Sequence, residues 1–236
     1  MFSLADTLIF ESDTLTVRSI SVSDMANNVY LLTNRATGEQ VLIDAADDFP
    51  DIRRFAEAAL AADSPANTDR AGAGVLAIIT THAHWDHIRA LPDAIETWDP
   101  VTYCGAPDAA AIAEQEGVRI EEHLTGGEHL TLAGIELEVI TLRGHTPGSV
   151  ALALRVPAGG GQDAGERVSL FTGDSLFPGG VGKTNSSRDF EQLFTDVSER
   201  IFDRFDDNTL VLPGHGDSTT LGKERPHLPE WKERGW

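Results

Sequence analysis

The chain has 236 residues, 41% of them hydrophobic and 24% charged, with a formal net charge of −20. That length can bury one large core, no apolar run approaches the roughly 20 residues of a membrane helix, and so acidic a balance repels nucleic acid phosphate. A single cysteine, Cys104, excludes an internal disulfide, and the amino-terminal MFSLADTLIFESDTL lacks the basic-then-apolar pattern of a secretory signal. A single domain over residues 1–236 in the cytoplasm is the expectation.

Short β-like runs open the chain: LTVRSISV, NNVYLLT and, after the turn NRATGEQ, VLIDAADD. Residues 50–62 place apolar side chains at helical spacing behind a proline suited to a first turn. A polar linker leads to the strand VLAIIT, followed by a helix near 88–97, the strand VTYC, and a helix PDAAAIAEQEG ended by Gly117. Strands HLTLAG, IELEVITL and SVALALRV follow, then the loop AGGGQDAGE and the strand VSLFTG. A helix over about 188–203, the strand TLVLPG and a polar, turn-rich tail close the chain. Strands interleaved with helices in this way predict two packed sheets with helices outside, and chemistry on the loops that follow strands.

One such loop, THAHWDH at 81–87, crowds three histidines and an aspartate behind an apolar strand. In extended chain, residues i and i+2 share a side, so His82 and His84 can reach one point in space. Asp86 and His87 fall where the chain turns toward the next helix and can serve a second point nearby, about 3.5–4 Å away in two-metal sites. Three further residues of metal-ligand type stand just after strand-like runs and beside glycine: His145 in RGHTPGS, Asp174 in FTGDSLF and His215 in LPGHGDS. His123, His129 and His227 lack that context. Trp85, between the two pairs, is expected to pack against or wall the site.

The ordered set HxHxDH, GHTPGS, TGDSLF and PGHG resembles the metallo-β-lactamase superfamily over nearly the whole chain. The resemblance implies an α/β fold, a four-layer αββα sandwich of two mixed sheets flanked by helices. It also implies a first metal on His82, His84 and His145, a second on Asp86, His87 and His215, and Asp174 bridging the two. Two divalent ions bring four positive charges against three from Asp86, Asp174 and a bridging hydroxide, which leaves a mildly electropositive centre able to polarise a carbonyl. Asp86 would both ligate and orient the nucleophile. Zinc is the expected ion, although His and Asp donors also suit iron and manganese.

Within that superfamily the series looks most like the short, single-domain glyoxalase II-like branch, the hydroxyacylglutathione hydrolases, because only about twenty residues follow the His215 turn. A thioester suits a site without an obvious general acid, since its leaving thiol has a pKa near 8.5. The implied partner is therefore a small molecule, with no nucleic acid and no membrane, and self-association is left open. Iron-dependent persulfide dioxygenase and lactone hydrolase are the alternatives; β-lactamase, nuclease and a non-catalytic scaffold rank lower. The stretch FPGGVGKT is no phosphate-binding loop, because Phe177 stands where that motif requires glycine. Lys183 on this stretch and Arg188 just beyond it are candidates to meet an anionic substrate.

Overall fold

The computed structural model describes residues 2–67, 71–157 and 165–235; the expected loop AGGGQDAGE lies largely outside them. A first sheet runs β1 (Leu8–Glu11), β2 (Leu15–Val22), β3 (Asn27–Asn34), β4 (Glu39–Ile43), β5 (Gly74–Thr80), β6 (Val101–Gly105) and β7 (Glu122–Leu124), in spatial as in chain order. Neighbours are antiparallel up to β4 and parallel from β4 to β7. Parallel pairs need crossovers, and α1 (Phe49–Asp63) and α2 (Leu91–Trp98) supply two of them, with α3 (Ala109–Glu116) ahead of β7.

The second sheet is built from β8 (His129–Leu132), β9 (Ile135–Thr141), β10 (Val150–Pro157) and β11 (Glu166–Gly173). A hairpin of β12 (Leu176–Phe177) and β13 (Gly180–Val181) follows, and then α4 (Ser187–Val197), which continues into a π-helical turn (Ser198–Phe202). This helical stretch returns the chain to β14 (Leu210–Pro213), parallel to β11, with β15 (Thr219–Thr220) at the edge.

Three buried clusters fill the three spaces of a four-layer αββα sandwich. Alternation along β3 shows how one strand feeds two of them: Val29 and Leu31 pack under α1 with Ile52 and Phe55, while Tyr30 and Leu32 face Val139, Leu152 and Phe171 of the second sheet. On the far side Leu170 and Val211 pack against Phe190, Leu193 and Trp231. A buried ion pair ties the end of α1 to β2, Arg18 Nη2 lying 2.6 Å from Asp63 Oδ1.

Two expectations are corrected. The helix placed at 188–203 is α-helical only to Val197. The tail, expected as polar turns, forms α5 (Leu221–Glu224), a 3-10 turn (Arg225–His227) and α6 (Leu228–Arg234). Pro226 and Pro229 stand in the first turns of their segments, where the missing N–H costs nothing, and so initiate helix instead of breaking it. Trp231 buries its ring there, an anchor whose truncation would cost about 3–5 kcal/mol.

Candidate metal centre

The seven residues singled out in the sequence converge at one edge of the sandwich, where strands of both sheets end. His82 and His84 lie just beyond β5 in extended chain, and a 3-10 turn over Trp85–His87 brings Asp86 and His87 back beside them. His145 stands on the turn between β9 and β10, Asp174 directly after β11, and His215 one glycine beyond β14. Backbone bonds hold the edges together: Val150 N–H donates to Thr81 O (2.9 Å), Asn28 N–H to Gly214 O (2.7 Å) and Gly214 N–H to Gly173 O (2.8 Å). Gly214 is required by proximity, since a side chain there would collide with the Asp174 carboxylate and the His87 ring.

The donor atoms fall into overlapping groups: His82, His84 and His145; Asp86, His87 and His215; and His82, His87 and Asp174 between them, the atoms of each group lying within 4.8 Å of one another. His145 Nε2 is 3.3 Å from His82 Nε2, and His87 Nε2 is 3.1 Å from His215 Nε2. Asp174 reaches both clusters, with Oδ2 3.6 Å from His145 Nε2 and 3.4 Å from His215 Nε2, and Oδ1 3.4 Å from His87 Nε2. Asp174 Oδ1 is buried yet has no hydrogen-bond partner among the described residues. A buried carboxylate oxygen left open amid imidazole nitrogens is what a divalent cation of borderline softness would complete.

Four of the rings are tethered through Nδ1. His145 Nδ1 lies 2.7 Å from Lys183 O and His215 Nδ1 2.9 Å from Met25 O; carbonyls only accept, so each Nδ1 carries the hydrogen. His87 Nδ1 meets Asp44 Oδ2 at 2.9 Å. Thr81 Oγ1 donates to that same oxygen (2.8 Å), leaving its lone pair for His82 Nδ1 at 3.1 Å. In every case Nε2 is the atom turned toward the cluster, the arrangement in which an outer partner fixes tautomer and ring direction.

Charge separates the two triads. Burial, reinforced by the neighbouring His87, pushes His82 well below its ordinary pKa, and burial lowers His145 as well, so these rings are neutral. At His87 burial is outweighed by the carboxylates of Asp44 and Asp174, and the ring is lifted to about 10. His215 likewise overcomes burial, through hydrogen bonds to Asp174 and Asp86, and also reaches about 10. Asp86 and Asp174 stay far below the usual carboxylate range despite burial, held there by His215 with Asn27 and by His215 with His87 respectively. The second triad thus draws a cation, proton or metal, between its carboxylates and rings.

Two clefts flank the cluster. One, of about 430 Å³, is lined by Arg143, His145, Asn185, Arg188 and Gln192. Arg188 is exposed and makes no ion pair among the described residues. The Lys183 side chain is exposed too, and its contribution to the centre is its carbonyl, on His145. The other cleft, of about 520 Å³, is lined by Asp24, Met25, Asp47, Asp48, Asp51, Trp85 and Arg89. Trp85, 49% exposed, therefore walls the approach instead of packing inside.

Residues that motif spacing did not reveal complete the site. Asn27 donates from Nδ2 to Asp86 Oδ2 (2.9 Å) and to Asp86 O (3.0 Å), and Asp44 sits behind His87. Asp44 carried one usable signal: it follows the strand QVLI as Asp174 follows its own. His123 and His129 are exposed on β7 and β8, away from the cluster, and His227 pairs with Glu230.

Residues 22–215 match the family model described as the metallo-beta-lactamase superfamily. The probable metallo-hydrolase YqgX of Bacillus subtilis (strain 168) is 33% identical over 168 residues, 65% of this chain and 74% of that protein. Hydroxyacylglutathione hydrolase GloC of Haemophilus influenzae is 30% identical over 170 residues, 64% of this chain and 74% of that one. Among solved structures, the BLEG-1 B3 metallo-beta-lactamase aligns with TM-score 0.68 at 26% identity, covering 91% of this chain and 99% of that one. TTHA1623 in a di-iron-bound form aligns with TM-score 0.61 at 28% identity, covering 88% and 96%.

Proposed function

The chain belongs to the metallo-β-lactamase superfamily, and from that premise we propose that it is a glyoxalase II-like hydrolase that cleaves a small thioester at a binuclear centre. The supporting observation is the division of seven donors into two triads with Asp174 between them, each tethered ring presenting Nε2. His82, His84 and His145 would hold one ion, Asp86, His87 and His215 the other, and Asp174 both; zinc fits this donor set, as do iron and manganese. Bound there, two divalent ions would polarise a carbonyl oxygen and lower the pKa of a water from 15.7 to about 7.

The chain's own groups do the rest. Asp86, its carboxylate fixed by Asn27 Nδ2, orients the attacking water. A thioester can react here without a dedicated general acid, because a thiolate whose thiol has a pKa near 8.5 departs unprotonated. Arg188, in the 430 Å³ cleft beside His145, receives an anionic end of the substrate. Similarity to a hydroxyacylglutathione hydrolase over 64% of the chain supports the same substrate class. No described helix is long and apolar enough to cross a membrane.

Elemental analysis combined with a panel of thioesters, lactones, β-lactams and persulfides tests the proposal. Two zinc ions per chain with preference for thioesters is the expected result. One iron per chain with oxygen uptake on a persulfide would replace it with dioxygenase chemistry, and fewer than one tightly bound ion would remove the enzymatic reading altogether.

A further inference from the structure

Asp108 belongs to neither triad, but its carboxylate stands between the two chain segments that carry all three histidines of the first. It lies on the turn after β6 and is 2% exposed. Ala83 N–H donates to Asp108 Oδ2 (2.9 Å), and Ala83 is the residue between His82 and His84. Thr146, which follows His145, donates from Oγ1 to the same oxygen (2.6 Å), and Gly148 N–H donates to Oδ1 (2.7 Å). Ala83 is held at its other end as well, since Gln115 Nε2 of α3 donates to Ala83 O (2.8 Å).

These contacts leave no slack. A side chain on Gly148 would strike the Asp108 carboxylate and backbone, and one on Gly105 would strike the Gly148 carbonyl, so the turn after His145 is pressed against the turn that holds Asp108. Among the described residues no lysine or arginine pairs with Asp108. Its buried charge is satisfied by neutral donors from the two ligand-bearing segments, and losing them would leave a costly bare carboxylate. The bond therefore acts in both directions: the donors hold the carboxylate, and the carboxylate holds the segments in register.

We propose that Asp108 is the positioning residue of the first triad, clamping the THAHWDH and GHTPGS turns together so that His82, His84 and His145 converge on one ion. It acts through main chain and a hydroxyl without touching an imidazole, unlike Asp44, whose carboxylate meets the His87 ring itself. The inference rests on the binuclear reading and makes a site-selective claim that reading does not contain: weakening Asp108 loosens the first-triad ion and spares the second.

Titration of chelator-stripped protein with zinc, in competition with a chromophoric chelator, measures the two affinities without recourse to activity. In Asp108→Asn an amide nitrogen replaces an acceptor oxygen and faces donors. One affinity is expected to fall about 10- to 100-fold, the usual cost of disturbing a group that orients ligands, while the other stays within about twofold. His145→Ala identifies the sites: in the Asp108→Asn/His145→Ala double variant the remaining ion should bind as it does in His145→Ala alone. Thr146→Val should lower the same affinity by a smaller factor, and Thr146→Ser, which keeps the hydroxyl, should restore it. Equal loss at both ions, or no loss in an Asp108→Asn protein that melts cooperatively, would overturn the proposal. If Asp108→Asn does not melt cooperatively, the Thr146 pair decides: loss confined to the first-triad ion in Thr146→Val and recovered in Thr146→Ser upholds the clamp, and any other pattern rejects it. Wild-type protein that binds fewer than two ions would instead sink the binuclear reading, which separates the two failures.

Discussion

His82, His84 and His145 meet as three imidazoles, two of them held neutral by burial, whereas Asp86, His87 and His215 mix carboxylate with imidazole; each triad has two buried members and one half-buried, His84 and His215. Their supports differ in emphasis. The all-histidine triad is braced by backbone N–H groups and the Thr146 hydroxyl on one buried carboxylate, by the Thr81 hydroxyl on His82 and by a carbonyl on His145; the mixed triad is braced by polar side chains on its own members, Asn27 on Asp86 and Asp44 on His87, and by the carbonyl of Met25 on the β2–β3 turn. A triad of imidazoles with no carboxylate of its own needs chiefly to be aimed. Charged donors must also be balanced, and each acquires a partner of its own.

The substitution that erases the distinction should have the largest effect. Asp174→Ala removes a carboxylate within reach of both triads and is expected to cost about 10²- to 10³-fold in turnover, the scale of losing a group that stabilises charge in the transition state. Metal content should fall at both sites, and retention of one full ion per chain would show that Asp174 serves a single triad. Asp44→Asn probes chiefly the mixed triad. Its direct contact is with His87, and it reaches His82 only through Thr81, so the second-triad ion should weaken about 10- to 100-fold and the first by less. Zinc titrations that show the reverse order would break the contrast between the triads.

Most of the architecture could be read from the sequence, because strand-end glycines and ligand-type residues recur in one pattern: THAHWDH, GHTPGS, TGDSLF and PGHG each mark a place where backbone turns at the candidate centre. The braces could not. Asp108 looks like any acid at a helix start, and Asn27 like any turn residue, until the fold sets Asp108 against Ala83 and Gly148 and Asn27 against Asp86. Their roles depend on contacts between distant segments, which local spacing does not encode. The helical tail is hidden for a different reason: its prolines and polar residues resemble turns, and only their place in the first turns of short segments makes them helix starts.

Arg188→Ala moves outward to the cleft beside the neutral triad. Loss of one charge-assisted contact should raise KM about tenfold for a thioester bearing a carboxylate, with kcat little changed and a neutral thioester unaffected. A parallel rise for both substrates would place Arg188 outside recognition. The smallest expected signal comes from behind the first sheet, where Cys104 is fully buried and burial pushes its thiol up to about 12. At pH 8 its thiolate fraction should be on the order of 10³-fold below that of a free thiol of pKa about 8.5, so alkylation of native protein should be negligible. Rapid labelling would mean that β6 opens locally and exposes Cys104.

Met25 and Lys183 each steady a histidine with a main-chain carbonyl, while their side chains stand exposed at the rim of the centre. A carbonyl survives any substitution, so the identity of the residue at either position is free to drift without releasing the ring behind it. Met25 also lines the acidic cleft. The periphery of this centre can therefore be rewritten one side chain at a time, and substrate preference can diverge between descendants of the same chain while the interior chemistry is inherited unchanged.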